Sequence, residues 1–240
     1  MVRVDTVYQR VLAIANKEQR GYVTPLEFNL LANQAQLDVF EQYFYDKNQF
    51  GRLAGNDTDY SDPLDILEEK ISVFKKRYIP LTVINQFGQV NLEADLPDLY
   101  RLGTVRVNRA GGIGTVVEHI TDGKEFMLYE SNPKTRQSPR YSVYNRYGDG
   151  IRIYPYPIIG VDNVMCNYIK SPSKVEWGYD VIAEKALYNA SKSNNFEHHR
   201  SDETELVIKI LELAGIVINK PGLAQLAGQE DLQKIQQEKQ

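Results

Sequence analysis

The hydrophobic period of this chain changes twice, and that constrains its fold more than any single motif. Apolar residues recur at helical spacing up to about Arg77, alternate with period two from Tyr78 to about Pro172, and return to helical spacing after Trp177. Terminal helices with apolar stripes bury them most economically against each other. The sequence therefore predicts an α+β protein: a helical bundle formed by the N- and C-terminal helices (1–78 and 173–220), an inserted antiparallel β domain (79–172), and a polar C-terminal tail (221–240).

Val4, Val7, Tyr8, Val11, Leu12, Ile14 and Ala15 mark a first helix, with Asp5 or Thr6 as cap and Gly21 as stop. Thr24-Pro25-Leu26-Glu27 opens a second: Thr24 caps, Pro25 suits the first turn, and Glu27 closes a capping box. Its apolar face runs through Phe28, Leu31, Ala35, Val39, Phe40 and Tyr43, and residues 46–60 read as a loop. Ser61-Asp62-Pro63 caps a third helix bearing Leu64, Leu67, Ile71 and Phe74, ending near Lys75-Lys76-Arg77, where cations suit the helix C-terminus.

Strands are predicted at 81–85, 88–93, 103–109, 113–119, 141–146, 151–154 and 162–170. A short helix runs from a cap at Thr121 through Tyr129, and 132–140 reads as an exposed loop. Val181, Ile182, Ala186, Leu187 and Ala190 predict a fourth helix, and Leu206, Val207, Ile210, Leu213, Ala214 and Val217 a fifth, broken by Asn219-Lys220-Pro221-Gly222. The tail 223–240 has only Leu226, Leu232 and Ile235 as apolar anchors. It is either disordered or a helix that orders on a partner.

Composition excludes several classes. A net charge of −4 gives no overall pull toward nucleic acid or acidic membranes. The single cysteine, Cys166, rules out an intrachain disulfide framework. No apolar run reaches the ~20 residues that span a bilayer, and Met1-Val2-Arg3-Val4-Asp5 does not open a secretory signal. Sixteen tyrosines against one tryptophan fit both strand-rich structure and protein interfaces.

The chain offers no catalytic constellation and implies no cofactor or metal. His198-His199 with Asp202 and Glu203 would share helical faces at i, i+4, but no third ligand is evident, and a solvated polar junction explains them. Asp57, Asp59, Ser61 and Glu68 match calcium-loop spacing but have Asp62 and then Pro63 where glycine is needed, which excludes the site. Gly111-Gly112-Ile113-Gly114 lacks phosphate-loop spacing and leads into a strand, so it reads as a hairpin turn.

One chemical feature remains. Lys134, Arg136, Arg140, Arg146 and Arg152 interleave with Tyr141, Tyr144 and Tyr147, and only Asp149 opposes them. This alternation suits a surface that tracks phosphates and stacks bases, and equally a wet protein interface anchored by arginine and tyrosine. A solvated hairpin with tyrosines at strand positions fits as well.

Several motifs in a fixed order resemble the head–tail connector (adaptor) proteins of tailed bacteriophages, of the podovirus and crAss-like type. They are Leu92-Glu93-Ala94-Asp95-Leu96-Pro97, Tyr100-Arg101 with Thr104-Val105-Arg106-Val107, Ile151-Arg152-Ile153-Tyr154-Pro155, and Tyr168-Ile169-Lys170-Ser171-Pro172 followed by Trp177. Tyr8-Gln9-Arg10-Val11-Leu12 and Thr24-Pro25 are similar to the opening of structural proteins from such phages. The resemblance implies a non-enzymatic virion protein forming a ring, twelvefold in that family, between portal and tail around the DNA channel. Its partners would be the portal, further tail or ring proteins and, transiently, packaged DNA. It would sit at the head–tail junction of the virion, and in the host cytoplasm during assembly. The interface or channel candidates are Arg136, Arg140, Tyr141, Tyr144, Arg146, Tyr147 and Arg152, with Leu226, Leu232 and Ile235 of a tail that would reach the portal. The alternative is a nucleic-acid-binding accessory protein using the Arg/Tyr hairpin.

Overall fold

Thr24 and Glu27 form the reciprocal cap that the sequence announces: the Glu27 N–H donates to Thr24 Oγ1 at 3.3 Å, and the Thr24 N–H to Glu27 Oε2 at 2.9 Å. From that cap the longest helix among the described residues, α2, runs over Pro25–Phe50. The computed structural model describes residues 1–17, 23–50, 63–108, 114–121, 123–132, 134, 136–156, 158, 163–183 and 185–217. These divide into two compact units, one from Met1–Val73 with the chain from Pro172 onward, the other from Phe74–Ser171.

In the terminal unit, α1 (Val4–Lys17) precedes α2, and α3 (Pro63–Ser72) comes after it. The last described helix, numbered α6 in chain order, is Glu203–Val217 and packs on both α1 and α2. The buried faces are those of 3.6-residue periodicity: Val4, Val7, Tyr8 and Val11 on α1; Phe28, Ala32, Ala35, Val39, Phe40 and Tyr43 on α2; Leu206, Val207, Ile210 and Ala214 on α6. Gly21, the residues 51–62 with Asp57, Asp59 and the Ser61-Asp62 cap, and the breaker at 219–222 lie outside the described residues, whereas Glu68, the last of the rejected calcium-loop positions, lies on α3 and pairs with Lys47.

Between Pro172 and Asp202 this unit is not the helix that the spacing predicts. Val181, Ile182, Ala186 and Leu187 belong to an antiparallel hairpin, Tyr179–Ile182 with Lys185–Tyr188, here β8 and β9, and Ala190 opens a 3-10 turn. Val181, Ile182 and Leu187 are 68, 60 and 50 % exposed, so no helical stripe is buried here. The unit is therefore not a plain helical bundle. Residues 173–177 instead run extended along α2, held by its polar side chains. Gln36 Nε2 donates to Ser173 O, Asn33 exchanges two bonds with Val175, and Asn29 exchanges two with Trp177. The spacing i, i+4, i+7 on a helix meets i, i+2, i+4 on an extended strand. Trp177 then packs against Tyr8, with ring centroids 4.5 Å apart, and its Nε1 donates to Asp5 at 3.1 Å.

The second unit is a seven-stranded sheet in the order β1-β7-β3-β4-β5-β6-β2. Its strands are β1 (Lys75–Leu81), β2 (Gln89–Asn91), β3 (Leu99–Asn108), β4 (Thr115–His119), β5 (Val143–Tyr147), β6 (Gly150–Tyr154) and β7 (Asn163–Lys170). Two short helices, α4 (Leu92–Asp95) and α5 (Gly123–Ser131), interrupt them. The sheet is mixed rather than purely antiparallel, because β4 and β5 pair in parallel. The helix Gly123–Ser131 and the chain from there to Ser142 separate these two strands, so β5 does not return as a hairpin partner of β4. Beyond β1, Val83 bridges to Val90 of β2, so the two outer strands meet and the sheet curls back on itself. Inside it lie Val90, Leu92, Leu96, Val105, Val107, Val117, Ile151, Ile153, Val164 and Cys166. Gly88 makes the closure passable: it takes φ +68°, and a Cβ there would stand 2.4 Å from Ile153 O.

Lys75, Lys76 and Arg77 are strand residues of β1, not the last turn of α3, which ends at Ser72. Their helix-terminus reading fails because β7 recruits them: Lys75 pairs with Ile169 and Lys76 with Tyr168.

Candidate interaction surfaces

The Arg/Tyr segment is built on the β5–β6 hairpin, whose Gly148 turns at φ +45°. Strand alternation splits the expected cluster instead of gathering it. Tyr144 points inward, buried and stacked on the His119 ring at 4.9 Å, and burial pushes its phenol pKa up. Tyr147 and Arg152 share the opposite face, where the guanidinium lies 5.7 Å from the ring centroid. Arg136, Arg140 and Arg146 are exposed, as is Tyr141 at 71 %. Arg136, Arg140 and Tyr141 stand in the segment before β5 rather than on the hairpin. Leu226, Leu232 and Ile235 lie outside the described residues.

On the outer face of β6 the rings continue. Phe126 of α5 contacts Tyr154 at 4.7 Å, Tyr154 contacts Tyr156 at 5.7 Å, and Tyr156 meets Phe87 edge-on at 5.7 Å. Phe87 and Tyr156 remain about half exposed. The Tyr154–Pro155 peptide bond is cis, and it carries the chain out of β6 into this row.

A second surface of the β unit has no counterpart among the sequence expectations. β7 has an irregular register on both sides of Asn167: β1 slips between Lys76 and Ile79, and β3 slips between Leu102 and Val105. The paired irregularities open a groove of about 530 Å³. It is lined by Lys75, Lys76, Arg77, Arg101 and Arg106, with Tyr78 and Asn167 between them, and no carboxylate is among the residues lining it. Gly103 lets β3 come this close, since a Cβ there would stand 2.9 Å from Asn167 O. Asn167 Oδ1 accepts the Tyr78 N–H at 3.0 Å and fixes Tyr78 at φ +56°. Tyr78 is 58 % exposed, and its ring centroid lies 5.8 Å from the Arg106 guanidinium. The local sequence signal is the run Lys75-Lys76-Arg77. What it lacks is the distant register that brings Arg101 and Arg106 beside it.

Among the described residues of the terminal unit, two elements stand out for strongly exposed aliphatic side chains. One is a stripe on α2, where Leu26 and Leu30 are 66 and 68 % exposed one turn apart, with Leu37 further along. The other is the β8–β9 hairpin with Val181, Ile182 and Leu187.

The residues weighed as metal ligands do something else. His199 caps the turn Arg200–Asp202, its Nδ1 accepting the Ser201 N–H at 3.3 Å. Glu203 pairs with Arg10 at 2.8 Å. Asp202 is wholly buried, accepts the Tyr43 hydroxyl at 2.6 Å and pairs with Lys70 at 3.0 Å. His198, also buried, stands with its ring 5.9 Å from that of Tyr43. Burial lowers the His198 pKa to about 4, with Asp202 opposing, so the ring is neutral at pH 7. Among the described residues no three His, Cys, Asp or Glu side chains converge as a metal-binding group. Cys166 faces the interior of the curled sheet, where burial pushes its thiol to about 11 and keeps it protonated.

No protein-family model matches the chain, and no curated protein matches it.

Proposed function

We propose that this protein is a structural subunit of a tailed-phage head–tail connector, a non-enzymatic virion protein that assembles into a ring between portal and tail around the DNA channel. The observation that carries this reading is the pair of unlike apolar surfaces on the terminal unit: the Leu26/Leu30 stripe of α2 and the Val181/Ile182/Leu187 hairpin. A ring that closes by rotation is heterologous: each copy must offer two different patches, one to each neighbour. Exposed large aliphatic residues on a two-stranded hairpin are otherwise a liability, because they and the strand edges invite association. The ordered motifs of the phage connector resemblance add to this. The segments 92–97, 100–107 and 151–155 lie in the β unit and 168–172 runs to its end; between them they carry α4 and parts of strands β3, β6 and β7. The net charge of −4 suits a ring through which DNA passes without being gripped along its length.

Native mass spectrometry of the purified protein, alone and with the portal protein of the same phage, tests the reading. Multi-copy closed complexes are the expected result, in either sample, and twelve copies would match the resemblance. A protein that stays monomeric in both samples would overturn it.

A further inference from the structure

We infer that the groove between the Lys75–Tyr78 segment and β3 is a binding site for a single strand of nucleic acid, gripping its phosphates and stacking one base on Tyr78. The inference goes beyond the connector reading and does not depend on ring formation.

Five cations line this groove in a protein whose net charge is −4, and none of its lining residues is acidic. Cations dispersed over a surface solvate independently, whereas cations gathered in a concavity focus the field and favour a polyanion there. Three of the five are arginines, whose planar forks match phosphate oxygens in a bidentate way. The gathering is structural. It depends on two register irregularities flanking one residue, Asn167, and on a glycine at 103 that admits the close approach of β3.

Tyr78 distinguishes the ligand. It takes a left-handed backbone conformation at φ +56°, which a bulky residue adopts only when its surroundings impose it. The Asn167 carboxamide holds it, and the result is an exposed tyrosine presented at the groove. Arg106 lies close enough to polarise that ring. An aromatic platform beside phosphate-matching cations is the arrangement by which single strands are held without sequence preference. A duplex keeps its bases stacked and offers Tyr78 nothing. A volume of about 530 Å³ also falls in the range of small-ligand sites rather than of a duplex-wide channel. An acidic peptide could satisfy the cations but would make no use of the ring.

Fluorescence anisotropy of a short fluorescein-labelled oligothymidylate, titrated with the full chain over a range of salt, is the test. Lys76→Glu/Arg77→Glu should weaken binding at least tenfold at low salt. It should also make the salt slope shallower by about 1.4, the release from two phosphate contacts on a single strand. Both residues are exposed, so the variant should keep its circular dichroism spectrum. Tyr78→Gly removes the ring where glycine tolerates the backbone, and should cost about tenfold with the salt slope unchanged. Arg140→Ala/Arg146→Ala, outside the groove, should bind as the parent does. Unchanged affinity in the groove variants, or loss only in the Arg140/Arg146 variant, would overturn the inference. So would displacement by polyglutamate together with indifference to Tyr78→Gly, which would make the groove an acidic-peptide site.

Discussion

The carboxamide of Asn33 makes both backbone hydrogen bonds of Val175. Oδ1 accepts its N–H and Nδ2 donates to its carbonyl, each at 2.9 Å. A helix side chain here takes the part that a neighbouring strand would play for the extended segment 173–177. Asn33→Ala leaves a donor and an acceptor of the buried Val175 without those partners, and should destabilise the protein by about 2–3 kcal/mol. Asn33→Asp keeps the acceptor alone and should fall between variant and parent. Urea unfolding followed by the fluorescence of Trp177, two residues away and the only tryptophan, reads this directly.

Tyr43 and Lys70 both reach the buried carboxylate of Asp202, from α2 and α3. Lys70→Met removes the countercharge and should cost about 3–5 kcal/mol, because the carboxylate stays buried without it. Tyr43→Phe should cost only ~1–3 kcal/mol, since one charge-assisted hydrogen bond is lost while the ion pair persists. A larger loss for Tyr43→Phe than for Lys70→Met would contradict this order.

His198 gives the terminal unit a pH dependence. Its folded pKa, about 4, is below the ordinary 6.5, so between these values the unfolded chain binds more protons than the folded one. Its contribution is fully present above pH 6.5 and is lost as pH falls toward 4. Between pH 6.5 and 5 the loss should amount to about 2 kcal/mol. Urea midpoints of the parent and of His198→Gln across this window check it: the variant's curve should be flatter.

Ala183, at the turn of the β8–β9 hairpin, has φ +50°. An alanine in the left-handed region carries roughly 1 kcal/mol of strain that glycine or asparagine avoids. Ala183→Gly should therefore slow amide exchange at Tyr179–Ile182 and Lys185–Tyr188. Faster exchange would mean that the turn is held by something other than backbone preference.

Mixing variants tests the two-patch assembly. Leu30→Asp and Ile182→Asp should each stay monomeric under conditions where the parent assembles. Combined, they should form dimers and nothing larger, because one intact patch survives on each. Analytical ultracentrifugation of the mixture separates these outcomes, and full rings from either variant alone would remove that residue from the interface.

The helix stripes were legible because burial in a helix pair leaves a 3.6-residue record, as Phe28, Ala35, Val39 and Phe40 show. The strand-period region was legible in the same way, apart from α4, which begins inside the strand predicted at 88–93, and β1, which occupies Lys75–Leu81 where the spacing predicts a helix end and then a strand at 81–85. The β8–β9 hairpin was not. Val181, Ile182, Ala186 and Leu187 satisfy a helical template by number, yet they are exposed or half-buried, and only burial separates the two readings. Asn29, Asn33 and Gln36 carry no signal in the sequence because polar residues normally mark the outside of a helix, and here they face a strand. The Arg/Tyr cluster is continuous along the chain, but a pleat sends Tyr144 and Tyr147 to opposite faces. The basic groove depends on register between strands far apart in sequence, which no local window holds.

β1 and β7 are neighbours, and the Lys170 N–H donates to Phe74 O at 3.0 Å, so the β unit begins and ends at the same place. On a ribosome that arrangement sets an order of events. The β unit is contiguous in sequence and emerges whole. The first helices must wait for α6, and Val2 for its bridge to Phe196, until the last part of the chain is made. Once β1 and β7 have paired, the two halves of the waiting unit hang from adjacent points. The closure entropy of the intervening 74–171 segment, roughly 4 kcal/mol by logarithmic loop scaling, has then already been met. The sheet acts as the splice that turns a discontinuous fold into a local one.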